Sequence, residues 1–196
     1  HAPPARAGFA ALGDAPDPFL PAFPAAVVPL PDLLAAAKGL GAINYAPDSD
    51  LIVRKVPLAF RATLPESTLF PSLDAEALRV AQGASTILIK SSNASGQRAF
   101  GASTGVVEVK IGDVITATDA DGAVRVRFAG HKAGRLLPAW QVLAGKVDKS
   151  EIEGRIILIG TSAAGLKDLR STPIDTSVGG VEVHAELLEH VLTGAK

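Results

Sequence analysis

The stretch Arg155-Ile-Ile-Leu-Ile-Gly160 constrains this chain more than any other. Four large aliphatic residues in a row leave a strand no polar face, so both of its faces need cover. A polar loop follows, and Val181 to Thr193 then reads as a helix stopped by Gly194. On that helix Val181, Ala185, Leu188, Val191 and Leu192 fall on one face, with Glu182, Glu186 and Glu189 on the other. A covered strand, a polar loop and an amphipathic helix make half of a parallel α/β unit. Complementary parallel elements are scarce elsewhere in the sequence, so the neighbouring strands are expected upstream of His1. Everything in this reading depends on Arg155 to Gly160 being an inner strand.

The rest of the chain is read as one domain with three parts. Residues 1–40 are a Pro/Ala-rich leading segment, whose proline density favours an extended, loop-like path. Pro31 suits the first turn of a short helix there, and Gly39 its end. Residues 41–130 are β-rich. Pro47-Asp48-Ser49-Asp50 reads as a turn between two strands, and Pro57 places an edge or bulge in the second, Leu51 to Phe60. A helix is predicted over 71–83, capped by Ser72, with Asp74 and Glu76 in its first turn and Gly83 at its end. Its apolar stripe is read as Leu73, Ala77, Val80 and Ala81. Strands follow at Ser85 to Lys90, Val106 to Ile111, Val114 to Thr118 and Val124 to Phe128, the last two joined as a hairpin by Asp119-Ala-Asp-Gly122. Residues 131–196 are the α/β C-terminal part, with a short helix over Pro138 to Ala144 in which Trp140 is expected to plug the core. The expected architecture is a Rossmann-like mixed α/β sheet flanked by helices, with an antiparallel β-hairpin or meander inserted mid-chain.

Composition removes several functions. The formal net charge is -1 and aromatic residues make up 5% of the chain, so nucleic-acid binding lacks both field and stacking surface. There is no cysteine, hence no disulfide, thiolate metal site or cysteine nucleophile. With no methionine the chain reads as an internal piece of something longer. No run approaches the about 20 apolar residues of a membrane helix, so any anchor is expected outside this stretch.

Several short motifs have plainer readings. Gly160-Thr-Ser-Ala-Ala-Gly165-Leu-Lys167-Asp168 nearly spells a phosphate loop, but Leu166 separates Gly165 from Lys167, and Asp168 would repel phosphate. Ser162, Asp175 and His184 occur in a hydrolase order, which is cheap without geometry. Thr161 and Ser162 either satisfy backbone groups at a strand end or face a ligand crevice, the former being the plainer reading. His184 is expected buried and hydrogen-bonded on the apolar side of the last helix. Glu182 is explained by the helix dipole. Asp48/Asp50 and Asp119/Asp121 are read as turn residues, since neither pair has the downstream glutamate of a calcium loop. No metal and no cofactor are expected.

These pieces together resemble a known family. They are Gly41-Ala-Ile-Asn44 with Pro47-Asp-Ser-Asp50 and Val53-Arg-Lys-Val-Pro57; Leu69-Phe-Pro-Ser-Leu73; Thr118-Asp-Ala-Asp-Gly122; Ala139-Trp140 through Gly145; Gly154-Arg-Ile-Ile-Leu-Ile-Gly-Thr161; and Asp168, Thr172-Pro173 and Gly180-Val-Glu-Val-His-Ala185. In that order they resemble the CHASE type-2 domain, an extracellular sensory module of bacterial adenylate and guanylate cyclases and histidine kinases. The family's usual opening strand-helix-strand segment has no counterpart here. The resemblance implies a non-catalytic signal-input domain at the periplasmic or extracellular face of the cytoplasmic membrane. It also implies tethering by flanking membrane helices, a homodimer formed through them, and a cytoplasmic cyclase or kinase as output. The signal would be a small molecule or protein, and the candidate ligand residues are Thr161, Ser162, Asp168, Glu182 and His184. The alternatives are a soluble small-molecule-binding α/β module and, more remotely, a hydrolase fragment.

Overall fold

Where proline is sparse the leading segment does form structure. Between Pro4 and Pro16 the residues Gly8–Leu12 make strand β1, followed by β2 (Ala22–Phe23) and helix α1 (Pro31–Ala36) with Pro31 in its first turn. The computed structural model describes residues 3–45, 48–63, 66–96, 103–130, 133–161 and 168–194. Helix α1 ends before Gly39, which serves a different purpose: a Cβ there would lie 2.4 Å from Glu76 Oε1.

The turn after Asp48 forms, closed by Leu51 N–H donating to Asp48 O at 2.9 Å. The strand beyond it divides at Leu58, as Pro57 requires, into β3 (Lys55–Pro57) and β4 (Ala59–Ala62). Then come β5 (Thr68–Pro71), helix α2 (Leu73–Ala81), β6 (Thr86–Ser91), β7 (Val106–Ile111), β8 (Val114–Ala117) and β9 (Ala123–Arg125). Helix α3 (Ala139–Leu143), the short strands β10 (Leu169–Arg170) and β11 (Val178–Gly179), and helix α4 (Gly180–Thr193) complete the chain.

The fold is mixed α/β. One sheet has the order β1-β6-β7-β8, with β1 parallel to β6 and an antiparallel meander from β6 to β8. A second runs β2-β4-β5, and β3-β9 and β10-β11 are two-stranded ribbons. Ile87 and Ile89 of β6, Val109 and Ile111 of β7, Val56, Leu58, Leu78 of α2, and Val183 and Leu187 of α4 form one buried cluster. Each such side chain contributes about 1.5–3 kcal/mol by leaving water.

Long-range contacts override local expectation in several places. The Asp119–Gly122 turn forms, but β9 does not fold back on β8; it pairs with β3. Val56 and Val124 face each other there, both buried, and Lys55 Nζ reaches Asp121 Oδ2 at 2.5 Å. The hairpin lies instead between β7 and β8. On α2 the buried residues are Asp74, Ala75, Glu76, Leu78 and Arg79, while Leu73, Ala77 and Val80 are half-buried and Ala81 exposed. Charged groups lie on the inward face because each is paired: Arg79 Nε donates to Glu76 Oε2 at 2.7 Å, and Asp74 meets a histidine. On α4 the buried line is Val183, His184, Leu187 and Leu188, with Glu186 also buried and Leu192 exposed.

The largest correction concerns Arg155 to Gly160. Among the described residues it pairs with no strand and carries no strand hydrogen bonding. Ile156 and Leu158 pack on the core, while Ile157 is 49% and Ile159 94% exposed. A run apolar on both faces needs two covers, and this fold supplies one. The parallel pairing expected beside it is found elsewhere, between β1 and β6. Trp140 is likewise no core plug: it is 59% exposed, with Lys146 Nζ 5.3 Å from its ring centre.

Two outcomes follow from local geometry. Ser72 is fully buried and its Oγ accepts the Ala75 N–H at 3.1 Å. Ser72→Ala is expected to lower stability by about 1 kcal/mol in urea unfolding, and an unchanged midpoint would contradict the cap. Asp50 is held at about 2 by hydrogen bonds from Arg54 and then from the Ile52 amide. Because that lies below the usual carboxylate value of about 4, its contribution is present above pH 4 and lost as pH falls through 2. Asp50→Asn should flatten the decline of stability between those values; an identical acid profile would contradict the Arg54 clasp.

Candidate functional site

The site is assembled where two helices start. Ser72 opens α2, and the chain at Gly41 lies so close to it that a Cβ there would sit 2.6 Å from Leu73 Cα. Leu40 N–H donates to Glu76 Oε1 at 3.1 Å, Ala42 N–H to Pro71 O at 2.9 Å and Leu73 N–H to Ala42 O at 2.8 Å. Segment 39–42 is thereby fastened to α2, and the two glycines are required because backbone and carboxylate occupy the space of their side chains.

From that support Tyr45 reaches α4. Its hydroxyl donates to Gly180 O at 2.5 Å, and its ring stacks on the His184 imidazole with centroids 4.9 Å apart and planes 29° from parallel. The Arg170 guanidinium lies 5.5 Å from the centre of the same ring, within reach of a cation–π attraction. Burial, reinforced by Asp168 and Asp74, pushes the Tyr45 phenol well above its ordinary range, so it stays a neutral donor. Asp168 pairs with Arg170 at 3.2 Å, and its backbone oxygen accepts Gly180 N–H at 2.8 Å. Gly180 has no side chain because the Asp168 carboxylate lies 2.6 Å from where a Cβ would be.

Beneath Tyr45 lies a buried carboxylate–imidazole pair. His184 Nδ1 is 2.8 Å from Asp74 Oδ2, with His184 3% and Asp74 1% exposed. Asp74 Oδ1 and His184 Nε2 are buried without a hydrogen-bond partner among the described residues. An imidazole so enclosed cannot serve a solvent-borne substrate while the helices stay packed. Its geometry fixes ring orientation and joins α2 to α4, a bond between residues 110 apart in sequence.

The residues picked from sequence gather here in part. Thr161 is exposed, and its carbonyl passes 3.7 Å from the place a Cβ on Gly179 would take. Asp168 borders the first residue of α4, Glu182 accepts Gly179 N–H at 3.4 Å, and His184 lies one turn in. Ser162 lies outside the described residues, as does most of the phosphate-loop-like stretch. Sequence reasoning missed Tyr45, Asp74 and Arg170 as members of this cluster. Asp74 was assigned to the helix dipole, and nothing local announces that its partner is His184.

The remaining acidic groups have structural work. Asp48 and Asp50 clasp Arg54 at 2.6 and 2.7 Å. The Asp175 carboxylate accepts Ser177 N–H at 2.9 Å, whereas the partner of His184 is Asp74, so the order Ser162, Asp175, His184 describes no triad. Glu186 accepts Ala129 N–H at 2.9 Å and pairs with Arg135, which also holds Glu189. A cavity of about 20 Å³ between Thr172, Asp175, Glu182 and Glu186 has room for one water, not for an organic ligand. No group of three or more His, Cys, Asp or Glu among the described residues is arranged to hold a metal ion. No helix among them is long and apolar enough to cross a membrane.

Removing one partner of a buried pair leaves the other uncompensated. Asp74→Ala should therefore cost about 3 kcal/mol in urea unfolding, with Asp74→Leu/His184→Leu recovering much of it. A loss under about 1 kcal/mol for the single substitution would show that the pair does not hold the helices together.

No curated protein and no solved structure is significantly similar to this chain. A family model described as CHASE2 domain matches residues 6–196, almost the whole of it. The chain therefore belongs to the CHASE2 domain family, whose members are extracytoplasmic, sensory and non-catalytic domains.

Proposed function

We propose that this domain is the signal-input part of a bacterial transmembrane receptor, lying on the periplasmic or extracellular face of the cytoplasmic membrane. The observation that carries the reading is the family match across residues 6–196. The output is a cytoplasmic adenylate or guanylate cyclase or a histidine kinase. The receptor is tethered by membrane helices flanking the domain and dimerises through them. The signal, a small molecule or a protein, acts at the face where Thr161, Asp168 and Glu182 surround the start of α4, with His184 below; Ser162, next to Thr161 in sequence, is the further candidate.

Helix α4 is the mechanical element. Its first half is buried through Val183, His184, Leu187 and Leu188, while Leu192 near its end is exposed. A signal that favours one packing of α4 over another shifts the receptor between two states by the difference of its affinity for them. Leu188→Ala in the full-length receptor tests this, because Leu188 is 5% exposed and is not itself a candidate ligand residue. Basal or stimulated cyclic-nucleotide or phosphotransfer output is expected to change at least about fivefold in a receptor that remains folded, the lower end of the coupling usual for linked sites. Unchanged output at both levels would contradict the lever.

A further inference from the structure

We infer that Tyr45 is a latch that holds the start of α4 in its resting packing, and that a signal acts by displacing it; the second half of this statement rests on the sensory reading above. Three observations converge on Tyr45. The chain that carries it belongs mechanically to α2, through the bonds of Leu40, Ala42 and Leu73 and the close approaches of Gly39 and Gly41. Its hydrogen bond and ring contacts are with the other side: Gly180 O at 2.5 Å, the His184 ring at 4.9 Å and the Arg170 guanidinium at 5.5 Å. Tyr45 is half-buried, whereas the pair it covers is buried.

This ordering separates a strong joint from a releasable one. The Asp74–His184 pair is closed to solvent, so nothing dissolved reaches it directly. Tyr45 is held by one hydrogen bond, two ring contacts and partial packing on the core, and a half-buried side chain so held can swing aside at less cost than the buried pair beneath it. When it leaves, Gly180 O loses a donor, one face of the His184 ring is uncovered, and Arg170 exchanges its ring contact for solvent while keeping Asp168 and the Leu169 carbonyl. A ligand that engages Arg170 or takes the place of the phenol on Gly180 O is a competitor for the latch. Tyr45 does not ionise in ordinary media, because burial raises its phenol, so release is by displacement rather than by deprotonation.

Tyr45→Phe keeps the ring and removes the hydroxyl. In the full-length protein in nanodiscs, hydrogen exchange at the amides of residues 184–186 is expected to quicken roughly threefold to tenfold, the size of one net hydrogen bond. Exchange in β6 and β7 should stay as it is. Resting output of the receptor should move at least about twofold towards its signalled level, since a weakened resting state shifts the two-state balance. Unchanged exchange at 184–186, or equal acceleration in β6 and β7, would overturn the latch. Local acceleration with unmoved output would leave the latch in place and overturn its link to signalling.

Discussion

The hydrogen bond between Asp74 and His184 is the contact on which the remaining arrangement depends. Burying either group alone is costly, so each requires the other, and the two helices that carry them must start side by side. This requirement places the first turn of α4 against the first turn of α2. It brings Gly180 to Tyr45, Asp168 and Arg170, and it turns the acidic side of α2 inward. The buried ion pair of Glu76 with Arg79 on α2 acts in the same sense by fastening segment 39–42 to the helix.

A buried polar joint of this kind contributes specificity of packing more than net stability. The apolar residues around it, Leu78, Val183 and Leu187, supply the favourable burial, but hydrophobic contact alone does not fix which face of α4 meets α2. The family to which the chain belongs is sensory, and a joint that sets the packing of the last helix is in keeping with that role.

Punctuation of the chain is legible in the residues themselves. Ser72, Pro31 and the left-handed Gly83, Gly122 and Gly194 mark helix and turn boundaries by backbone chemistry that acts within a few residues. Partnership is less so. Val114 to Thr118 and Val124 to Phe128 look like a hairpin in sequence, but Val124 finds its buried partner in Val56 and Asp121 its cation in Lys55. The faces of α2 were misread for a similar reason, because an acid is placed outside by composition and inside only by a partner far along the chain. Of the candidate site, Asp168, Glu182 and His184 could be found from their positions around a helix start; Tyr45 and Arg170 belong to it only through contacts made in three dimensions. The stretch from Arg155 to Gly160 has no place in a sheet, because this fold covers only the side that carries Ile156 and Leu158. The family assignment is independent of that stretch's placement, since it spans residues 6–196.

The account is tested most directly by nuclear magnetic resonance of the imidazole protons in this chain. It predicts a slowly exchanging Nδ1 proton on His184 that disappears when Asp74 is replaced by Asn or Ala. A His184 ring whose protons exchange with water as fast as those of an exposed histidine, in protein that is otherwise folded, would contradict it.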